Sequence, residues 1–147
     1  MNREKADKYF LSMLPIVATA SKDESTKVAA IIVGGHDEIR STGFNGFPRG
    51  IDDSNPARHE RPEKYLWFEH AERNAIYNAA RHGTPLDGTR IYVSAPPCMD
   101  CARAIIQSGV IEVVCPEPSE DFLSRWGGHY ERVKVMFSEA GIVLTIV

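Results

Sequence analysis

Two short segments that carry metal-ligand side chains constrain this chain more than any other feature. His70-Ala71-Glu72 and Pro97-Cys98-Met99-Asp100-Cys101 each stand where a helix is predicted to begin, and a predicted strand separates them. Cysteines three positions apart at a helix start share one face. The free N–H groups and dipole of that helix end favour the thiolate form, and a proline just ahead suits a sharp helix entry. For both segments to bind the same metal ion, the fold must bring these two helix N-termini together.

His70, Cys98 and Cys101 are the predicted ligands of one zinc ion. Three protein ligands leave a fourth position for water, which is typical of catalytic rather than structural zinc. Two thiolates and a neutral imidazole bring the charge of the centre close to zero, so we expect the water to need a nearby general base. Glu72 is the candidate. Positions i and i+2 do not share a face in a regular helix, so the pair is predicted at the irregular opening of its helix.

The cysteine pair has two other interpretations. A C-x-x-C pair alone is more often half of a structural zinc site or a redox pair. A structural site needs a fourth ligand, and the remaining cysteine, Cys115, is predicted on a strand as a small buried hydrophobe. A redox pair leaves His70 and Glu72 unexplained. The order His-x-Glu followed by Pro-Cys-x-x-Cys is the signature of zinc deaminases.

Apolar periodicity predicts the element order α-β-β-α-β-α-β-α-β over one domain, residues 1–147. A hairpin followed by βα repeats predicts an α/β fold with three α/β/α layers and a mixed, five-stranded sheet. A long irregular segment, from Asn45 to about Lys64, is predicted to be functional or mobile. The predicted helices are 3–21 with a kink at Pro15, 68–82, 99–108, and 122–140 with a break at Gly127-Gly128; the predicted strands are 28–33, 38–44, 90–94, 111–115 and 142–147.

Charge and composition exclude several classes of protein. The net charge of −3 disfavours binding to a nucleic-acid polymer, and no basic, aromatic stripe indicates a polynucleotide editor. The sequence has no apolar run near the roughly 20 residues of a membrane span and no signal-peptide core. Three cysteines, an odd number, disfavour a disulfide framework. We therefore expect a cytoplasmic location without membrane contact.

The chain resembles the cytidine/deoxycytidylate deaminase superfamily over nearly its whole length. The resemblance rests on both zinc segments, on the stretch PPCMDCARAIIQSGV, on Ser21-Lys22-Asp23 ahead of Thr26-Lys27-Val28, and on Gly43-Phe44-Asn45-Gly46-Phe47-Pro48, a loop similar to that of deoxycytidylate deaminases. It implies a cytidine deaminase-like fold and zinc-dependent hydrolytic deamination of dCMP to dUMP and ammonia, supplying dUMP for thymidylate synthesis.

Other functions remain open at this point. The same fold could act on dCTP, deoxycytidine, guanine, adenine in transfer RNA or a pterin-like ring. A non-catalytic zinc protein that binds a partner is a further alternative. It would be indicated by a metal with four protein ligands.

The resemblance also implies roles for individual residues. It makes His70, Cys98 and Cys101 the zinc ligands and Glu72 the proton shuttle. Substrate-binding positions follow: Asn45 for the deoxyribose hydroxyl, the backbone around Ala71 and the Pro96-Pro97 turn for the pyrimidine, and Thr26 and Lys27.

Three side-chain roles stay undecided from the sequence. Arg73 resembles an arginine that hydrogen-bonds a zinc thiolate and withdraws its charge; the alternative is a surface arginine paired with Glu69. Trp126 and Tyr130 are expected in the core rather than on the substrate. The phosphate site is open, because the basic residue that some relatives place near Thr26 is absent. Its candidates are Lys27, Arg49, Arg125 and the hydroxyls of Ser21, Ser25 and Thr26.

Partners are implied by the resemblance alone. It suggests a homo-oligomer, a hexamer or tetramer, with dCTP as activator and dTTP as inhibitor. Mg²⁺ could accompany such a nucleotide effector. The segments Gly43–Gly50 and Asp52–Lys64 are the candidate effector site.

Overall fold

A five-stranded mixed sheet forms the centre of the computed structural model, which describes residues 1–147. The order across the sheet is β2-β1-β3-β4-β5. Strand β1 is antiparallel to β2 and β3, whereas β3, β4 and β5 run parallel. The strands are β1 Ala29–Val33, β2 Ile39–Phe44, β3 Arg90–Val93, β4 Glu112–Cys115 and β5 Val143–Ile146.

Helices cover both faces of the sheet, so the predicted three-layer α/β/α fold is confirmed. One helix, α1, packs on one face, and α3, α4 and α5 pack on the other. None of the helices is long and apolar enough to cross a membrane. The helices are α1 Arg3–Ala18, α2 Lys64–Trp67, α3 Ala71–His82, α4 Met99–Gln107 and α5 Glu120–Ala140, and Pro56–His59 form one 3₁₀ turn.

Strand β1 holds the two halves of the core together. All five of its residues are buried, as its continuous apolar run predicts. Ala29, Ile31 and Val33 pack toward α1, and Ala30 and Ile32 pack toward the layer of α3, α4 and α5.

Gly43 sets how closely β2 approaches α3. A Cβ atom at this position would lie 2.3 Å from the carbonyl oxygen of Ala71 and 2.4 Å from the backbone nitrogen of Ala75. Any side chain there would push the two elements apart. The absence of a side chain at Gly43 thus fixes the start of α3, where His70 stands, against the sheet.

Three predicted features differ from the structure. Helix α3 begins at Ala71 rather than residue 68, because Glu69 forms a backbone bridge with Gly46, which keeps this stretch extended. Helix α5 is continuous across Gly127-Gly128, so the predicted break is wrong; packing of its buried Val133 against the core offsets the low helix propensity of glycine. Helix α1 ends at Ala18 rather than residue 21, and Pro15 lies inside it.

Candidate functional site

The three predicted donor side chains meet where two helices begin. His70 is the N-cap of α3 and Cys98 the N-cap of α4, both in extended backbone conformation, and Cys101 lies in the first turn of α4. His70 Nδ1 is 3.4 Å from Cys98 Sγ and 3.5 Å from Cys101 Sγ. The three donor atoms all lie within 4.8 Å of one another.

This donor set fits zinc. Bond lengths of about 2.3 Å to sulfur and about 2.0 Å to nitrogen place the two donors about 3.6 Å apart in a tetrahedral site. The nitrogen–sulfur distances above agree with that separation. Cys115 is buried on β4, as predicted, and is not part of the cluster. The cluster therefore offers three donors and leaves one position of a tetrahedral ion open.

The two sulfurs differ in their affinity for a proton. Interaction with Cys101 lowers the pKa of Cys98 against the opposing effect of burial, and His70 adds to the lowering. Interaction with Cys98, together with burial, raises the pKa of Cys101. Cysteine binds metal as the thiolate, and the lower pKa favours that form at Cys98.

Glu72 lies beside the cluster in the first turn of α3. Its side chain is buried, with the residue 4% exposed, and its Oε2 lies 3.6 Å from Cys101 Sγ. Burial raises the pKa of Glu72, against the opposing charge of His70. A carboxyl group with a raised pKa can both take up and release a proton near neutral pH. The predicted position of the His70–Glu72 pair at the helix opening is confirmed.

A cavity of about 210 Å³ opens onto this cluster. His70, Cys98 and Glu72 are among the residues that line it. Further lining residues are four of the predicted substrate contacts, Thr26, Asn45, Ala71 and Pro96.

Two predicted contacts do not line the cavity. The ammonium group of Lys27 donates instead to the carbonyl oxygen of Ser21, which draws the side chain away. Pro97 is buried behind Pro96, which faces the cavity in its place.

Asn45 is anchored by its own side-chain amide. Oδ1 accepts the backbone N–H of Val28 at 2.9 Å, and Nδ2 donates to the carbonyl oxygen of Thr26 at 2.9 Å and to Asp23 Oδ2 at 3.2 Å. Both N–H donors of the amide are therefore used within the protein. One lone pair of Oδ1 is left for a ligand in the cavity.

Only some of the candidate phosphate ligands line the cavity in the structure. Arg125 lines the cavity, and its Nε is buried without a hydrogen-bond partner, while Nη2 donates to Asp121 at 2.6 Å. Arg49 instead donates to Asn78 at 2.6 Å, outside the cavity. Of the three hydroxyl candidates only Thr26 lines the cavity. An orphaned cationic donor at Arg125 indicates an anionic ligand.

Sequence reasoning missed the other charged residues of the cavity wall. Arg61, Lys64, Asp23 and Asp121 all line it. The only available signal was the mixture of basic and aromatic residues in the segment 61–67, directly ahead of His70.

Trp126 lines the cavity, so the prediction that it belongs to the core is wrong. Its indole ring packs edge-on against His70, with ring centroids 5.8 Å apart. Tyr130 does not line the cavity; it packs against Phe122 at 6.4 Å between ring centroids.

Arg73 is paired with acidic residues rather than sulfur. Its Nε contacts Glu69, and its Nη1 lies 3.5 Å from Asp100 Oδ2. No hydrogen bond joins its guanidinium to either cysteine. Glu69 is the partner named in the alternative interpretation of Arg73, although the Arg73 side chain is only 18% exposed rather than on the surface.

Comparison with known protein families agrees with this geometry. The profile described as "Cytidine and deoxycytidylate deaminase zinc-binding region" matches residues 4–117. The chain belongs to this deaminase family. The matched region contains His70, Glu72, Cys98 and Cys101.

Individual relatives support the same membership. The chain is 48% identical over 138 residues to a deaminase from the luxG 3′ region of Aliivibrio fischeri, covering 94% of this chain and 90% of that protein. It is 37% identical over 111 residues to human deoxycytidylate deaminase, covering 72% of this chain. The match spans only 61% of the human enzyme's length.

A solved structure confirms the fold. The dCMP deaminase of cyanophage S-TIM5, in complex with dCMP and dUMP, superposes with a TM-score of 0.78. The two chains are 22% identical, and the match covers 100% of this chain and 99% of the phage enzyme. The predicted cytidine deaminase-like fold is therefore correct.

Proposed function

We propose that this chain catalyses the zinc-dependent hydrolytic deamination of dCMP to dUMP and ammonia, and so supplies dUMP for thymidylate synthesis. Residues 1–147 would form its single catalytic domain. One observation carries the proposal: two members of a His-Cys-Cys donor set, His70 and Cys98, and the buried Glu72 line a cavity whose wall also holds arginines. The names of the human and phage relatives support this substrate.

His70, Cys98 and Cys101 would hold the zinc ion. When bound, the ion supplies a Lewis acid that lowers the pKa of water in its open position. Glu72 accepts a proton from the attacking water and passes it to N3 of the cytosine ring while the C4–O bond forms. Glu72 then carries the second proton of that water to the amino group, the C4–N bond breaks, and ammonia leaves a uracil ring.

The walls of the cavity would orient the nucleotide for this attack. The backbone of Ala71 and the ring of Pro96 border the space next to Glu72, where the pyrimidine fits. The free lone pair of Asn45 Oδ1 can accept a hydrogen bond from the deoxyribose hydroxyl. Thr26 lies beside Asn45 and adds a hydroxyl group to the same wall.

Arg125 and Arg61 are the residues that would hold the 5′-phosphate. Arg125 brings a buried, unpartnered Nε–H to the cavity, and no hydrogen bond or ion pair within the protein occupies the guanidinium of Arg61. Lys64 is less available, because Asp23 and Ser25 bind its ammonium group. Charge-assisted hydrogen bonds from arginine are well suited to phosphate.

Regulation and assembly belong to the same proposal. A second cavity, of about 270 Å³, lies along the Gly46–Ile51 segment and includes Lys22 and Asp53. It is the place where dCTP or dTTP, with Mg²⁺, would act as effector. Assembly as a tetramer or hexamer is proposed from the family resemblance alone.

Steady-state kinetics on a panel of substrates test the proposal. The panel contains dCMP, dCTP, deoxycytidine and guanine, each assayed for ammonia release with and without added dCTP or dTTP. We expect the highest kcat/KM on dCMP. A preference for dCTP, deoxycytidine or guanine would replace dCMP as the substrate, and no release from any of them by zinc-loaded protein would refute deamination.

A further inference from the structure

Helix α4 begins at a residue that makes no capping hydrogen bond with its own side chain. N-cap positions normally carry Ser, Thr, Asn or Asp, whose oxygen accepts a first-turn N–H group. Cys98 holds this position in α4, but its side chain makes no capping hydrogen bond, and its sulfur faces His70. The first-turn N–H groups of α4 need an acceptor from elsewhere.

His129 provides that acceptor from a different helix. The backbone N–H of Met99, the first residue of α4, donates to Nδ1 of His129 in α5 at 3.0 Å. An imidazole nitrogen that carries no proton can accept a backbone N–H group in this way. This hydrogen bond connects α5 to Met99, which lies between the predicted ligands Cys98 and Cys101.

The same imidazole also packs against the cavity wall. Its ring stands edge-on to Trp126, with centroids 5.1 Å apart, and Trp126 stands edge-on to His70. His129 therefore reaches the donor cluster by two routes. One runs through the backbone of Met99 to the cysteine pair, and the other runs through the indole ring of Trp126 to His70.

We infer that His129 is a positioning residue for the metal site: it accepts the first backbone N–H group of α4, at Met99, and thereby fixes where Cys98 and Cys101 stand. This inference rests on the proposed function to the extent that the site must bind zinc. Groups that orient metal ligands without touching the metal commonly matter almost as much as the ligands. His129 lies outside the region matched by the family profile, residues 4–117.

Two substitutions separate the acceptor from the packing. His129→Phe keeps an aromatic ring against Trp126 but removes the acceptor. His129→Asn shortens the side chain but keeps an oxygen able to accept the Met99 N–H. Tyr130→Leu is the matched control, because Tyr130 neighbours His129 on α5 and is also half-buried, but packs on Phe122.

Zinc affinity, measured by competition with a chromophoric chelator, is the deciding measurement, and urea unfolding is recorded in parallel. We expect His129→Phe to bind zinc about 10-fold to 100-fold more weakly, and His129→Asn to recover most of that loss. Tyr130→Leu should lose stability without losing zinc affinity. Should His129→Phe not fold, His129→Met replaces it as the variant without an acceptor.

Three results would overturn the inference: wild-type zinc affinity in His129→Phe, equal losses in the Phe and Asn variants, or an equal loss in Tyr130→Leu. Failure of the proposed function looks different. In that case the wild-type protein itself would bind no zinc, or would bind zinc and release no ammonia, whatever residue stands at position 129.

Discussion

Lys64 and Asp23 form a buried ion pair in the cavity wall. Lys64 Nζ lies 2.6 Å from Asp23 Oδ2, and the two side chains are only 8% and 5% exposed. The ammonium group also donates to Ser25, and Asn45 donates to the same carboxylate. The pair thereby joins the short helix α2 to the segment ahead of β1, and it holds the residue proposed to contact deoxyribose.

Replacing Lys64 with Met should leave Asp23 as an unpaired buried charge. Removing one partner of a buried pair typically lowers the free energy of unfolding by about 3–5 kcal/mol. Urea denaturation measures the loss. Lys22→Met is the control, because its ion pair with Asp53 is largely exposed and should contribute less than about 1 kcal/mol. Equal losses in both variants would contradict a special role for the buried pair.

The Asp23 carboxylate should also make stability depend on pH. Burial favours its neutral form, but hydrogen bonds from Lys64 and Ser25 prevail and lower the pKa of Asp23 below its ordinary value. A group with a lower pKa in the folded state stabilises the fold fully above its unfolded pKa of about 3.9. This stabilisation is lost as the pH falls through the folded pKa. As the pH falls below about 4, the free energy of unfolding of Asp23→Asn should decrease less than that of the wild type. Parallel plots of unfolding free energy against pH for the two proteins would contradict this role of Asp23.

Replacing Glu72, the proposed proton carrier, should slow turnover strongly and spare binding. Glu72→Gln keeps the shape of the side chain but cannot shuttle a proton. We expect kcat to fall by about 100-fold to 10,000-fold, with zinc content and dCMP affinity retained. Calorimetry on the zinc-loaded variant measures the affinity. A variant with near wild-type kcat would exclude Glu72 from the reaction.

Elements ahead of and between the zinc segments could be predicted from local patterns, and the exceptions have physical causes. The run from Val28 to Val33 indicates a buried strand, because a sheet covered on both faces needs apolar residues throughout. The start of α3 was displaced by a backbone bridge between Glu69 and Gly46, residues far apart in the sequence. Local propensity does not register such a contact.

Like the fold, the candidate site can be predicted from the sequence only in part. His70, Glu72 and the cysteine pair are recognisable because each half is a short motif at a helix start. Arg61 and Lys64 line the cavity through the tertiary path of the segment between Asn45 and His70, and no spacing in the sequence marks them. Lys27 was predicted to contact substrate from its neighbours in the chain, but a nearby carbonyl oxygen binds its ammonium group.

Removing a predicted zinc ligand should lower the zinc content of the protein, whereas removing the third cysteine should not. Cys101→Ala should purify with little zinc and negligible ammonia release. Cys115→Ala should retain one zinc per chain and lose only about 1 kcal/mol of stability from its small cavity. Atomic absorption measures the metal content. Full zinc content in Cys101→Ala would disprove the assigned ligand set.

Removing Arg125 should weaken the recognition of phosphate selectively. A charge-assisted hydrogen bond contributes about 1.5–3 kcal/mol, so Arg125→Leu should raise KM for dCMP by about 10-fold to 100-fold. The low activity expected on deoxycytidine should stay unchanged, since that substrate has no phosphate. Arg132→Leu serves as the control, because Arg132 is an exposed residue of the same helix that bonds to the Gly128 carbonyl oxygen. Equal effects on both substrates would remove Arg125 from the phosphate site.

Helix α5 spans Glu120–Ala140, beyond the region 4–117 that matches the family profile. The residues proposed to bind zinc and carry protons therefore lie within the matched region, whereas Arg125 and Trp126, which line the same cavity, lie outside it. The same helix also carries His129, which is hydrogen-bonded to the first residue of α4, so a change in this helix acts on ligand recognition and on the metal site together.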